Sequence, residues 1–218
     1  MKKGYMAAFF VVILSFAVTF YFYPQLPEEM VTHWNSKGEP DGHMSKLWGS
    51  FLVPLMSLGF LILFVVLPKI DPLKANYKSF GKYYHSVVVL IMAFLFYIHT
   101  MVLMANSGYS LNMTYMVVGP LSILFILIGY AMTKTKRNWF MGIRTPWTLN
   151  SDKVWKKTHE IGGKLFGLYG AFLLIALLMG DFLIEYLVYV VVVPVVFIVI
   201  STFVYSYYLY KKEVNDND

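Results

Sequence analysis

The sequence contains no cysteine and little charge: of its 218 residues, 14% are Asp, Glu, Lys or Arg, where a soluble chain has about 25%. The missing thiols exclude a disulfide-stapled secreted domain and a thiolate-held zinc or iron–sulfur centre. Acidic residues are the scarcer sign, 12 against 18 basic ones, and none falls inside a long apolar run. A proton-coupled pump built on intramembrane carboxylates is therefore not indicated. No G-x-x-x-x-G-K-[ST] phosphate loop or G-x-S-x-G elbow occurs. After His159-Glu160, the second histidine of a zinc-protease helix is replaced by Gly163. Without a repeat or a cofactor motif, neither an inverted-repeat transporter nor a bound cofactor is indicated.

What is present is apolar. Hydrophobic residues make up 58% of the chain and aromatics 18%, with a mean hydropathy of +0.61. A disordered chain is excluded, and an integral membrane protein remains. A membrane helix needs about 20 mostly apolar residues to cross roughly 30 Å of hydrocarbon. Six runs qualify: Gly4–Tyr23, Gly49–Leu67 ending at Pro68, Tyr83–Ala105, Met113–Met132, Ile161–Gly180 and Tyr186–Leu209. The first resembles a signal peptide in its dibasic start, but it is too long and lacks a small-residue cleavage site, so it reads as an uncleaved anchor. Pro194 inside the sixth run predicts a kink.

The net charge of +6 raises nucleic acid as a partner until the basic residues are placed. Six spans put sixteen of them on one side: Lys2, Lys3, Lys69, Lys74, Lys78, Lys82, Lys134, Lys136, Arg137, Arg144, Lys153, Lys156, Lys157, Lys164, Lys211 and Lys212. Only Lys37 and Lys46 fall on the other. The positive-inside rule then places both termini in the cytoplasm of a plasma-membrane protein. The charge reads as an orientation signal, and no direct nucleic-acid contact is expected. The fold expected is an all-α, six-helix membrane domain over 1–218, with an outer cap at 24–48 and a basic cytoplasmic loop at 133–160.

The outer loop runs from Pro24 to Trp48. Pro27 followed by Glu28 and Glu29 suits a short helix start, and Gly38 to Gly42 a tight turn. His33, Trp34, Asn35, Asp41 and His43 offer a ligand-facing or weak metal-binding cap, with His33, Asp41 and His43 the candidate metal ligands. The plainer reading is a connector whose Trp34 anchors in the headgroups. The His-x9-His spacing is not a zinc pattern.

In the cytoplasmic loop, Asn150 or Ser151 caps a short amphipathic helix. Val154, Trp155, Thr158 and Ile161 form its apolar side; Lys153, Lys156, Lys157 and Glu160 face acidic headgroups. Arg144, between Gly142 and Pro146, can bind a carboxylate or lipid phosphate bidentately. Arg144, Trp147, Trp155, Lys156 and Lys157 are thus candidate lipid or partner contacts. His99 is a possible intramembrane polar site, acting as a relay or bonded to a neighbouring helix. Gly119, Gly129, Gly162, Gly163, Gly167 and Gly170 predict close helix packing.

The stretch Asn138–Leu149, continued by Ser151, Trp155, Thr158, His159, Gly162 and Gly163, resembles the signature of the SdpI family of bacterial immunity membrane proteins. Leu26-Pro27, His33-Trp34-Asn35, Gly38 and Pro40-Asp41-Gly42 resemble the short N-terminal membrane domain of unknown function that accompanies it. The resemblance implies a protein that protects its producer from a secreted membrane-active peptide toxin. It also implies a receptor that holds an ArsR-type repressor at the membrane. Two other classes stay open on the residues alone. A transporter or channel would need a path through His99, Thr100, Asn106 and Ser122; an enzyme acting on lipid or peptide would need His33 with Asp41, or His159 with Glu160.

Overall fold

The computed structural model describes residues 2–180 and 185–216. Helices α1 (Lys2–Phe22), α2 (Lys46–Ile70), α3 (Tyr77–Asn106), α4 (Met113–Met132), α6 (Asp152–Ala176) and α7 (Leu187–Asn215) are the six long and apolar enough to cross a membrane. A further helix, α5 (Pro146–Asn150), is a single turn outside them. All six expected spans are present, and most are longer than their apolar runs. α2 passes Pro68 to reach Ile70, because its bonding ends only at Asp71, whose N–H donates to Leu67 O at 3.1 Å.

Three expectations need correction. The chain is not purely helical: β1 (Glu29–Trp34) and β2 (Pro40–Ser45) form an antiparallel hairpin between α1 and α2. Glu29, expected near a helix start, opens β1, where the β-branched Val31 and Thr32 suit a pleated surface. The turn is Asn35–Glu39 rather than Gly38–Gly42, and Gly42 lies on β2 opposite His33. Asn35 Oδ1 accepts from the N–H groups of Lys37 (2.9 Å) and Glu39 (3.1 Å), so one side chain folds the turn. Finally, the segment expected as a separate interfacial helix is the start of α6, which continues to Ala176. Ser151 caps it, accepting from the Val154 N–H at 3.2 Å.

Between helices in lipid, close packing and hydrogen bonds replace the hydrophobic effect as the source of association. The tightest crossing joins α4 to α6. A Cβ on Gly163 would stand 2.5 Å from Gly129 O, and one on Gly129 2.6 Å from Gly163 O. Only glycine lets these backbones touch. α1 packs on α3 through Ala8, Val12, Phe80, Val88 and Met92, all buried. Under the hairpin, Met30 and Leu103 are fully buried with Phe22 and Leu26 around them.

Candidate functional site

Two polar assemblies lie at opposite ends of the bundle. The hairpin end is fastened from below. Asn106, at the last turn of α3, accepts from the Val31 N–H (2.8 Å) and donates to Val31 O (2.9 Å). Its carboxamide thus does what a neighbouring strand would do for β1. Lys46 Nζ lies 3.5 Å from Glu28 Oε1 and over the Tyr23 ring, closing the hairpin's base.

Across the hairpin, His33 Nδ1 meets Asp41 Oδ1 at 2.5 Å, both side chains largely in the open. A bulge beside Val31 and His33 and the bare backbone of Gly42 let this pair form. His33, Trp34 and Asn35 also line a groove of about 260 Å³ between the hairpin and the ends of α3 and α4, reaching Val102 and Thr114. His43 is exposed opposite Val31. Among the described residues no group of three or more His, Asp or Glu is placed to hold a metal ion, so His43 does not complete a ligand set with His33 and Asp41.

Below the hairpin, His99 is wholly buried and its Nε2 lies 2.7 Å from Thr19 Oγ1. The Thr19 hydroxyl also reaches Ser15 O (2.8 Å) and Ser50 O (3.3 Å), so α1, α2 and α3 share one buried polar knot. The other groups named for a transport path are engaged elsewhere. Thr100 donates to Phe96 O, Ser122 to Gly119 O, and Asn106 is held by Val31. These four side chains do not converge on one channel.

At the basic end the motif loop folds around Asn138, which has no exposure. Its Oδ1 accepts from the N–H groups of Phe140 (3.0 Å) and Met141 (2.7 Å); its Nδ2 donates to Lys136 O and Met141 O, both at 2.9 Å. Asp71, 1% exposed, accepts from Leu73 N–H (2.7 Å), Trp139 N–H (2.9 Å) and the Tyr77 hydroxyl (3.1 Å). A buried carboxylate with three donors is satisfied where an unpaired one would not be tolerated. Asn76 Nδ2 adds a bond to Arg137 O at 2.7 Å. The α2–α3 turn and the motif loop are therefore one unit.

His159 fixes the same loop to α6. Its Nε2 accepts from the Ile143 N–H (2.9 Å), and its Nδ1–H donates to Trp155 O (2.8 Å). This bonding requires the neutral imidazole with the proton on Nδ1. The ring stacks on Trp155 at 4.0 Å. Gly142 passes directly over them with φ +119°, where an added Cβ would strike His159 Nε2. α5 is closed by a capping box between Thr145 and Thr148 and tied to α7 by Thr145 Oγ1 to Ser206 Oγ (3.0 Å). Trp147 packs edge-on against Phe203 at 5.0 Å.

The five residues expected to contact lipid or a partner divide accordingly. Arg144, Lys156 and Lys157 are exposed, and Arg144 Nη1 donates to Trp139 O at 2.9 Å, leaving the rest of its fork outward. Trp147 is partly covered by α7. Trp155 is a correction: it is 1% exposed, with Nε1 donating to Thr135 O at 3.3 Å, so it faces neither lipid nor partner. Nor do His159 and Glu160 form a catalytic pair, since both His159 nitrogens bond elsewhere and Glu160 lies 4.0 Å from Lys156. Sequence reasoning missed Asp71, offered Asn106 only for a transport path, and took in Asn138 only as the first residue of the motif. A lone acid among Lys69, Lys74 and Lys78 was the available signal for Asp71.

The same regions stand out in comparison with known proteins. Residues 134–206 match the SdpI/YfhL protein family, and residues 10–58 match a domain of unknown function, DUF1648. The first stretch holds most of the motif loop with α6 and much of α7; the second holds most of α1, the hairpin and the start of α2. The chain is 28% identical over 213 residues to immunity protein SdpI of Bacillus subtilis (strain 168), covering 97% of this chain and 98% of that protein. No solved structure matches. The resemblance read from the motifs is thus found independently in two separate stretches, and the chain is a multi-pass membrane protein carrying SdpI/YfhL family sequence over residues 134–206.

Proposed function

We propose that this protein is an SdpI-like immunity protein of the cell membrane, protecting its host against a secreted, membrane-active peptide toxin. The observation that carries the reading is its similarity along 97% of its length to a protein named for immunity, spanning both polar ends. In the proposed orientation the basic end, with sixteen of the 18 Lys and Arg residues, is cytoplasmic and the hairpin faces outward. The toxin meets the groove bounded by His33, Trp34 and Asn35, beside the His33–Asp41 pair. Arg144, Lys156 and Lys157 form the inner face, available to lipid phosphate or to an ArsR-type repressor; Trp147 steadies Arg144's loop against α7.

The test is survival of toxin-exposed cells expressing His33→Ala, Arg144→Ala or both, with membrane abundance measured. His33→Ala lowers survival, and the double variant protects least. Full protection by a double variant inserted at wild-type level would overturn the assignment of these residues. Failure of the wild-type chain to protect against any sporulation-delaying-type peptide would overturn the immunity function itself.

A further inference from the structure

We infer that the basic end carries a built site for one anionic phospholipid, in the groove between α3 and α4. This groove, about 940 Å³, is within the size range of ligand sites, roughly 300–1,000 Å³, and the motif loop's exposed Arg144 is not part of its lining. Its α3 wall is graded along the helix. Lys78 and Lys82 stand at the mouth, Ser86 follows one turn deeper, and Leu90 and Ala93 lie beyond. The step of four residues keeps Lys78, Lys82, Ser86 and Leu90 along one side of the helix, over about 18 Å of rise. Charge, then hydroxyl, then hydrocarbon is the order of a phospholipid from phosphate through ester to acyl chain. Leu127 on α4 forms the facing apolar wall and is itself exposed on the surface of the bundle.

The occupant is set by charge. No Asp or Glu lines the groove, and among the described residues neither lysine makes an ion pair. Lys82 Nζ is steadied over the Tyr83 ring at 4.8 Å, and Lys134 Nζ, outside the lining itself, stands over the groove-lining Tyr130 ring at 5.4 Å. Tyr83 and Tyr130 meet edge to face at 6.1 Å and bridge α3 to α4 near the mouth. Cations held by aromatic rings above an apolar slot match a phosphodiester on an acyl chain; basic pockets between membrane helices are recognised sites for anionic headgroups. A zwitterionic lipid would bring its own cation against these lysines.

The experiment is native mass spectrometry of the full chain released from detergent, titrated with phosphatidylglycerol or phosphatidylcholine. The wild type retains one phosphatidylglycerol in preference to phosphatidylcholine. Lys78→Gln with Lys82→Gln weakens that retention by roughly tenfold to thirtyfold, at about one order of magnitude or less per surface lysine. Lys211→Gln with Lys212→Gln, removing equal charge from exposed positions elsewhere on the same end, leaves it unchanged. Ala93→Phe, which keeps both lysines but fills the chain's path, also weakens it, and a thermal melt of each variant verifies folding. Equal retention of the two lipids, equal losses from both lysine pairs, or no loss from a folded Ala93→Phe would each overturn the site.

Discussion

Asn106 holds Val31 by both of its backbone groups, with the N–H donating to Oδ1 at 2.8 Å and the C=O accepting from Nδ2 at 2.9 Å. One side chain at the end of α3 thereby fixes a hairpin that enters the sequence 75 residues earlier. An isolated two-stranded hairpin is marginal in water, so this clamp and the buried Met30 beneath it decide whether the cap is ordered.

Asn106→Ala should therefore cost about 1–3 kcal/mol and release the cap while leaving the helices in place. Hydrogen exchange reads this directly: the Val31 amide becomes fast-exchanging, whereas amides in the middle of α3 remain slow. Unchanged protection at Val31 would contradict the clamp.

At the other end, Asp71→Asn keeps the shape but turns one acceptor oxygen into a donor facing donors. Thermal unfolding in detergent should show a loss of about 1–3 kcal/mol, and the Trp139 amide should lose protection. Wild-type melting would mean that the α2–α3 turn does not hold the motif loop.

Gly142→Ala is expected to destabilise by more than about 1 kcal/mol, because φ +119° disfavours a side chain and its Cβ would meet His159. His159→Phe keeps the stacking on Trp155 but leaves the Ile143 N–H without its acceptor. It should loosen the loop while the bundle stays folded, which exchange at Ile143 would reveal.

Gly163→Leu drives a side chain into Gly129 O and should separate α4 from α6, an overpacking cost of about 1–3 kcal/mol or more. Gly167→Ala, with nothing within 4 Å of its added Cβ, is the contrasting substitution and should melt near wild type.

Orientation has a direct test, since the chain has no native cysteine. Lys37→Cys in the hairpin turn should react with an impermeant maleimide in intact cells, and Lys156→Cys only after permeabilisation. The opposite pattern would invert the proposed topology.

The spans were legible because length and hydropathy are local properties, and the crowding of lysines at one end is a count along the chain. The hairpin was not, because Pro27-Glu28-Glu29 satisfies the rules for a helix start while the groups that choose a strand, Asn106 and Leu103, are far away in sequence. Trp155 was misplaced for a related reason. Its periodicity shows that one face of the helix is apolar, but the same face can meet lipid or protein, and here the motif loop covers it. His33 and Asp41 were both named as candidates; the bulge that lets them touch is a property of the paired backbone alone.

The buried Asp71 also imposes an order on synthesis. Its closest non-local donor, the Trp139 amide, lies 68 residues downstream, beyond the whole of α3 and α4. When α2 and α3 first enter the bilayer, this carboxylate has only the Leu73 amide and the Tyr77 hydroxyl available, and it must stay at the water interface. Translation of the motif loop supplies the missing partner and lets the turn close over it. The first half of the molecule is therefore completed only by the second, and a chain released after α4 would be inserted but unfinished.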